Sequence, residues 1–157
     1  MFTWVKGEVP SDLKVTQVYG IVFSDDGRIL LMLDEESFKL TGGHPLDNES
    51  YEETLKREFI EELNIEIDNL EYLGYLKVEE NGNTYAQVRL IGKIKKVNEN
   101  RPDIDSGKLY TRVLISQDRV KSCLKYGDAG DKMLDDAINQ ANIKYGFLNI
   151  NKNGQVI

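Results

Sequence analysis

The chain has 157 residues, 40% of them hydrophobic and 30% charged, which suits one globular domain with a substantial core. A net charge of −7 argues against a broad grip on nucleic acid, and no apolar run approaches the roughly 18–20 residues that span a bilayer. The N-terminal MFTWVKGEVPSDLK lacks a secretory pattern and Cys123 stands alone, so the expected setting is reducing and cytoplasmic.

Val15–Phe23 (VTQVYGIVF) is dense in β-branched and aromatic residues and reads as a strand. Ser24-Asp25-Asp26-Gly27 is a turn signal, and Arg28–Leu33 completes a hairpin. Phe38–Leu40 reads as a short third strand ending at Gly42-Gly43. In Ser50–Leu63 the apolar residues Tyr51, Leu55, Phe59 and Leu63 recur at every fourth position and mark an amphipathic helix. Asn64 follows it, and asparagine tolerates the left-handed backbone that ends many helices.

Leu70–Val78 and Tyr85–Val97 read as strands joined across Asn81-Gly82-Asn83. Asn98–Gly107 is a loop and Leu109–Ile115 a further strand. Ser116 is placed to cap a short helix through Leu124, and Asp131–Ile143 is a last helix that buries Met133, Leu134, Ala137, Ile138 and Ala141. This order predicts an α/β (α+β) fold, with a mixed sheet between helical layers, in a single domain over residues 1–157.

The helix over Ser50–Leu63 carries an excess of like charge. On a wheel of 3.6 residues per turn, Glu58, Glu61 and Glu62 fall within an arc of roughly 100°, rotated by roughly 90° from the apolar stripe. They border the buried face, where water is partly excluded and repulsion rises. Near a helix C-terminus they also oppose the macrodipole. Oxygen-seeking divalent cations such as Mg²⁺ would turn that repulsion into coordination, and Arg57 is a second source of positive charge. Glu52 and Glu53 read as an ordinary solvated face.

The spacing decides between an inert acidic helix and a site. Gly43, five residues, Glu49, seven residues, Arg57-Glu58-Phe59, one residue, Glu61-Glu62, one residue, then Asn64-Ile65 resembles the signature box of the Nudix hydrolases. Asn64 stands where the family usually has glycine, Asn48 replaces a common glycine before Glu49, and Thr41 a common proline before the glycine pair. The resemblance is strong over about 25 residues and implies an α/β/α sandwich whose loop-helix-loop presents carboxylates to a cleft.

It further implies a hydrolase that cleaves the pyrophosphate bond of a nucleoside diphosphate linked to another group X, by water attack at phosphorus. Such enzymes use Mg²⁺, with Mn²⁺ as a substitute; here the implied ligands are Glu58, Glu61 and Glu62 with the carbonyl of Gly43. Glu58 and Glu61 are the candidate catalytic carboxylates, together with Arg57, whose alternative role is to orient Glu58 or Glu49. A base from outside the box would be one of Glu79, Glu80, Glu99, Asp103 and Asp105, all equally open as plain loop charges.

Lys39, His44 and Arg89 are candidate substrate contacts, Arg89 because an unpaired charge inside an apolar strand is costly. Arg101 and Arg112 are further phosphate candidates, and Tyr19, Phe38, Tyr85 and Tyr110 are aromatic candidates for stacking on a base. Cys123 reads as structural. The expected partner is a small nucleotide derivative, with no membrane and no extended nucleic acid; a homodimer is left open. The rival reading is a nucleotide sensor of the same fold that does not catalyse.

Overall fold

The computed structural model describes residues 1–148 and 152–157. Its elements in chain order are β1 (Phe2–Val5), β2 (Val15–Phe23), β3 (Ile29–Asp34), β4 (Ser37–Lys39), β5 (Thr41–Gly43), α1 (Tyr51–Leu63), β6 (Ile65–Glu80), β7 (Asn83–Val97), β8 (Thr111–Ile115), α2 (Val120–Leu124), α3 (Gly127–Tyr145) and β9 (Gln155–Val156). The strands form one sheet in the order β1-β6-β7-β2-β3-β8-β9, with β4 on β3 and β5 on β2. All described pairings are antiparallel except that of β2 with β7. The sheet is therefore mixed.

Strand alternation divides the core. Val18 and Val22 of β2 face α1 and pack with Leu55, Phe59 and Leu63, while Ile21 and Phe23 face the other way and pack with Met133, Leu134 and Ala137 of α3. Each fully buried leucine or phenylalanine of α1 contributes about 1.5–3 kcal/mol by leaving water. This is the α/β/α sandwich that the sequence predicts. Gly20 lets α1 approach closely, since a Cβ there would come within 2.8 Å of Leu55 and 3.1 Å of Phe59.

Several boundaries differ from expectation, each for a physical reason. β1 was not expected; it pairs with the far end of β6, and its Trp4 donates from Nε1 to Asp136 of α3 over 2.7 Å. β6 begins at Ile65 and not at Leu70, because register shifts between Asp68 and Glu71 accommodate the left-handed Asn69 (φ 52°) within the ladder. Ser116 caps no helix with its side chain: its carbonyl accepts from Arg119, and α2 begins at Val120. α3 starts at Gly127, a turn before Asp131, without a side-chain cap.

The end of α1 behaves as its chemistry requires. Ser50 accepts from the amide of Glu53 at the N-terminus (3.1 Å). Asn64 adopts φ 52° and ψ 45° at the C-terminus, and its Nδ2 donates to the carbonyl of Glu99 over 2.9 Å. Arg112 donates to the carbonyls of Leu63 and Asn98 and to a backbone oxygen of Ile157. The helix end, the loop after β7 and the residue that follows β9 are thus tied at one point. Asn64→Val, which places a β-branched side chain in the left-handed region, is expected to destabilise the protein by about 1–2 kcal/mol. Urea denaturation monitored by circular dichroism measures it.

Candidate active site

Arg57 is the hub of the acidic helix. Its Nε and one Nη hold both oxygens of Glu49, at 2.8 and 3.0 Å. The other Nη donates to Glu58 (2.9 Å) and Glu61 (3.1 Å), and the carbonyl of His44 accepts a further bond at 3.2 Å. These contacts occupy all five N–H donors of a guanidinium. Arg57 is accordingly a positioning residue, with no donor left for substrate. Glu49 is fixed further by the amide of Leu46 and the hydroxyl of Thr54, and its carboxyl is held well below the usual range, first by the Arg57 bonds.

Gly43 packs directly against Glu58. A Cβ there would overlap the Glu58 carboxylate, so glycine provides the room the side chain occupies. Asn48 before Glu49 has φ 65°, so this asparagine, like Asn64, meets a left-handed demand that glycine would also satisfy.

Glu62 is set apart from the other two. Seven residues after Leu55, it lies only about 20° from that core residue on the wheel. Its Oε2 is buried and has no hydrogen-bond partner among the described residues. Burial first, then the charges of Glu58 and Asp103, raises its pKa to about 8. Burial also raises the pKa of Glu58.

Among the described residues no three acidic, histidine or cysteine side chains form a ready-made ion cage. In this arrangement Arg57 holds Glu58 and Glu61, while Glu62 is turned inward. The donor set nevertheless suits a hard divalent cation. Glu62 carries an unsatisfied buried oxygen, and Glu58 and Gly43 are in contact beside it.

Glu62 also lines a cavity of about 540 Å³, with Tyr19, Lys39, Gln87, Arg89 and Tyr126 among its other walls. Two of the three substrate candidates are therefore here. Lys39 is paired with Asp34 at 3.1 Å, whereas Arg89 is nearly fully buried against Tyr19. His44 is not among the lining residues; it is exposed, and its Nδ1 lies 2.9 Å from the carbonyl of Thr16.

Of the aromatic candidates, only Tyr19 lines the cavity. Phe38 and Tyr110 pack against the core, and Tyr85 donates to Glu80. Arg112 is a helix-end brace, as above, and Arg101 is exposed. Of the external base candidates, Asp103 alone is charge-coupled to Glu62, and its oxygens accept from Asp105 and Ser106 of its own loop. Glu79 pairs with Lys77, and Glu80 sits at the β6–β7 turn. Gln87, Tyr126 and Phe2 were missed as cavity residues. Gln87 carried a usable signal, lying two residues before Arg89 on the same strand face.

A family model described as the NUDIX domain matches residues 13–109. The chain belongs to the Nudix family. A search of curated protein sequences returned no match. Among solved structures, the chain is similar to a mutant of the Bacillus subtilis pyrophosphohydrolase BsRppH, with TM-score 0.68 at 18% identity, covering 89% of this chain and 90% of that one. It is also similar to a Nudix hydrolase from Nitrosomonas europaea, with TM-score 0.61 at 20% identity over 81% of this chain and 90% of that one. A MutT from work on Aliivibrio salmonicida and Vibrio cholerae gives TM-score 0.59 at 16% identity, over 80% and 97% of the respective chains. At these identities the likeness establishes the Nudix fold. No described helix is long and apolar enough to cross a membrane.

The raised pKa of Glu62 has a consequence for stability. Between its ordinary value and about 8, the folded protein holds a proton that the unfolded chain has released. Stability of the chelator-treated protein should therefore fall as pH rises from about 5 to 8, and Glu62→Gln should flatten that slope. Thermal melts at stepped pH in EDTA test both.

Proposed function

We propose that the chain is a metal-dependent Nudix pyrophosphohydrolase acting on a nucleoside diphosphate linked to another group. The observation that carries the reading is Glu62, whose unpartnered buried oxygen joins the acidic helix to a cavity of nucleotide size. Family membership and the pyrophosphohydrolase and MutT relatives support it.

Glu58, Glu61 and Glu62, with the carbonyl of Gly43, are the groups that would hold a divalent cation, Mg²⁺ or Mn²⁺. Bound there, it supplies Lewis acidity and neutralises phosphate charge. The chain's own residues do the rest. Arg57 keeps Glu58 and Glu61 in defined rotamers, and Glu49 anchors Arg57 to the preceding loop. Glu58, held by Arg57 at one carboxylate oxygen, accepts a proton from the attacking water. Water adds at phosphorus as the bridging oxygen leaves with the second phosphate. Lys39 and Arg89 line the cavity that receives the remainder of the substrate.

Glu61→Gln or Glu62→Gln is expected to reduce Mg²⁺-dependent release by two or more orders of magnitude, on the order of what one catalytic group contributes. Phosphate and nucleotide release from a panel of nucleoside triphosphates, nucleotide sugars and dinucleotides measures it, with circular dichroism confirming the fold. A wild-type chain inert on the whole panel with Mg²⁺ and Mn²⁺ would favour the sensor. Glu49→Gln, which weakens the grip on Arg57 without touching the cation ligands, should lower kcat more than it raises KM.

A further inference from the structure

Arg89 sits where a guanidinium has little to hold it. It lies on the central strand β7, 4% exposed, with no acidic partner among the described residues. Its contacts with oxygen are long, 3.4 Å to the carbonyls of Gln87 and Val88 and 3.5 Å to Oε1 of Gln87, and its Nε lies 3.2 Å from the sulfur of Met133, a weak acceptor. Good N–H···O bonds run about 2.7–3.2 Å. Burial lowers its pKa to about 10, which leaves it charged near neutrality. A buried cation with weak contacts at a cavity wall points to a ligand that completes it.

The surroundings narrow the ligand. The parallel register of β2 and β7 places Tyr19 beside Arg89, and the guanidinium lies 4.7 Å from the tyrosine ring centroid. Stacking of this kind fixes the plane of the fork. Met32, Leu40, Leu76 and Ala129 line the same cavity with carbon. A free oxyanion would lose its hydration there against a single uncommitted cation among the described residues, since Lys39 is held by Asp34. A flat, largely apolar ring with two acceptors on one edge satisfies both the carbon walls and the fork.

Among nucleobases that edge belongs to guanine-type rings, whose O6 and N7 stand side by side. Adenine sets a donor at N6 beside N7, and pyrimidines lack the pair. We propose that the cavity is a 6-oxopurine site in which Arg89 is the specificity-determining residue, donating a forked pair of hydrogen bonds to O6 and N7. Gln87, whose Oε1 lies 3.5 Å from the same guanidinium, flanks the fork. The proposal deepens the hydrolase reading and rests on it for the presence of a nucleotide.

Nucleosides, which carry no phosphate to hydrolyse, separate the two. The full chain in EDTA is titrated with guanosine, inosine, adenosine, cytidine and 7-deazaguanosine, with amide NMR shifts as the readout. Guanosine and inosine should bind comparably, and adenosine, cytidine and 7-deazaguanosine should bind about tenfold to a hundredfold more weakly, the range of one bidentate contact. Arg89→Lys keeps the charge but loses the fork and should bring guanosine and adenosine to equal affinity. Equal binding of guanosine and adenosine by the wild type, no loss with 7-deazaguanosine, or no nucleoside binding at all overturns the proposal. Should Arg89→Lys fail to fold, the comparison of guanosine with 7-deazaguanosine decides alone. A chain that prefers guanosine yet hydrolyses nothing on the panel keeps this inference and loses the hydrolase.

Discussion

The site depends on one guanidinium. Three carboxylates crowd the last turns of α1, where the helix dipole already disfavours negative charge, and Arg57 is the residue that makes the crowding tolerable. A lysine in its place would offer a mobile point charge; arginine offers five donors in one plane, and the structure uses each of them. Two go to Glu49, which is itself pinned by Leu46 and Thr54. The loop before the helix is thereby locked to the helix, and Gly43 is held against Glu58. The box spacing is thus a geometric requirement. Glu49 must reach Arg57 from the loop, and Gly43 must come close enough to leave no room for a Cβ.

What could be read along the chain was what local chemistry specifies. The period of four in α1 and its left-handed asparagine follow from neighbours a few residues apart, and both are found. The parallel pairing of β2 with β7 joins segments some seventy residues apart. Nothing in either strand's own pattern announces it. β1 was invisible for the same reason, since a short strand with Lys6 and Pro10 close behind shows its worth only against β6 and α3. β6 misled because Asp68-Asn69 has turn chemistry, and a bulged strand uses the same residues.

At the site, legibility divides along the same line. The acidic wall is contiguous in sequence and was readable from spacing. The cavity is assembled from β1, β2, β3, β6, β7, the short strands β4 and β5, α1 and the start of α3, so most of its members carried no local mark. Arg89 was the exception because it broke a local rule, a charge in an apolar strand. Tyr126 broke none; its hydroxyl accepts from the amide of Leu40, an interaction between residues distant in the chain.

The two parts also answer the charge balance. An overall excess of acid would repel a polyphosphate if spread evenly, yet the charges here are sorted. Glu58 and Glu61 face Arg57, while Glu62 turns inward and resists ionisation until a positive partner arrives. Beyond it the cavity wall supplies buried positive charge in Arg89 and a row of carbon atoms. A ligand with an anionic end and a flat, acceptor-edged end matches that sequence of environments in one orientation only. On the proposed reading the anionic end would require a cation beside the glutamates, whereas the ring would require nothing more than the fork already held over Tyr19. Recognition of the ring would then precede the charge neutralisation that the proposed cleavage needs, and the two can be measured apart.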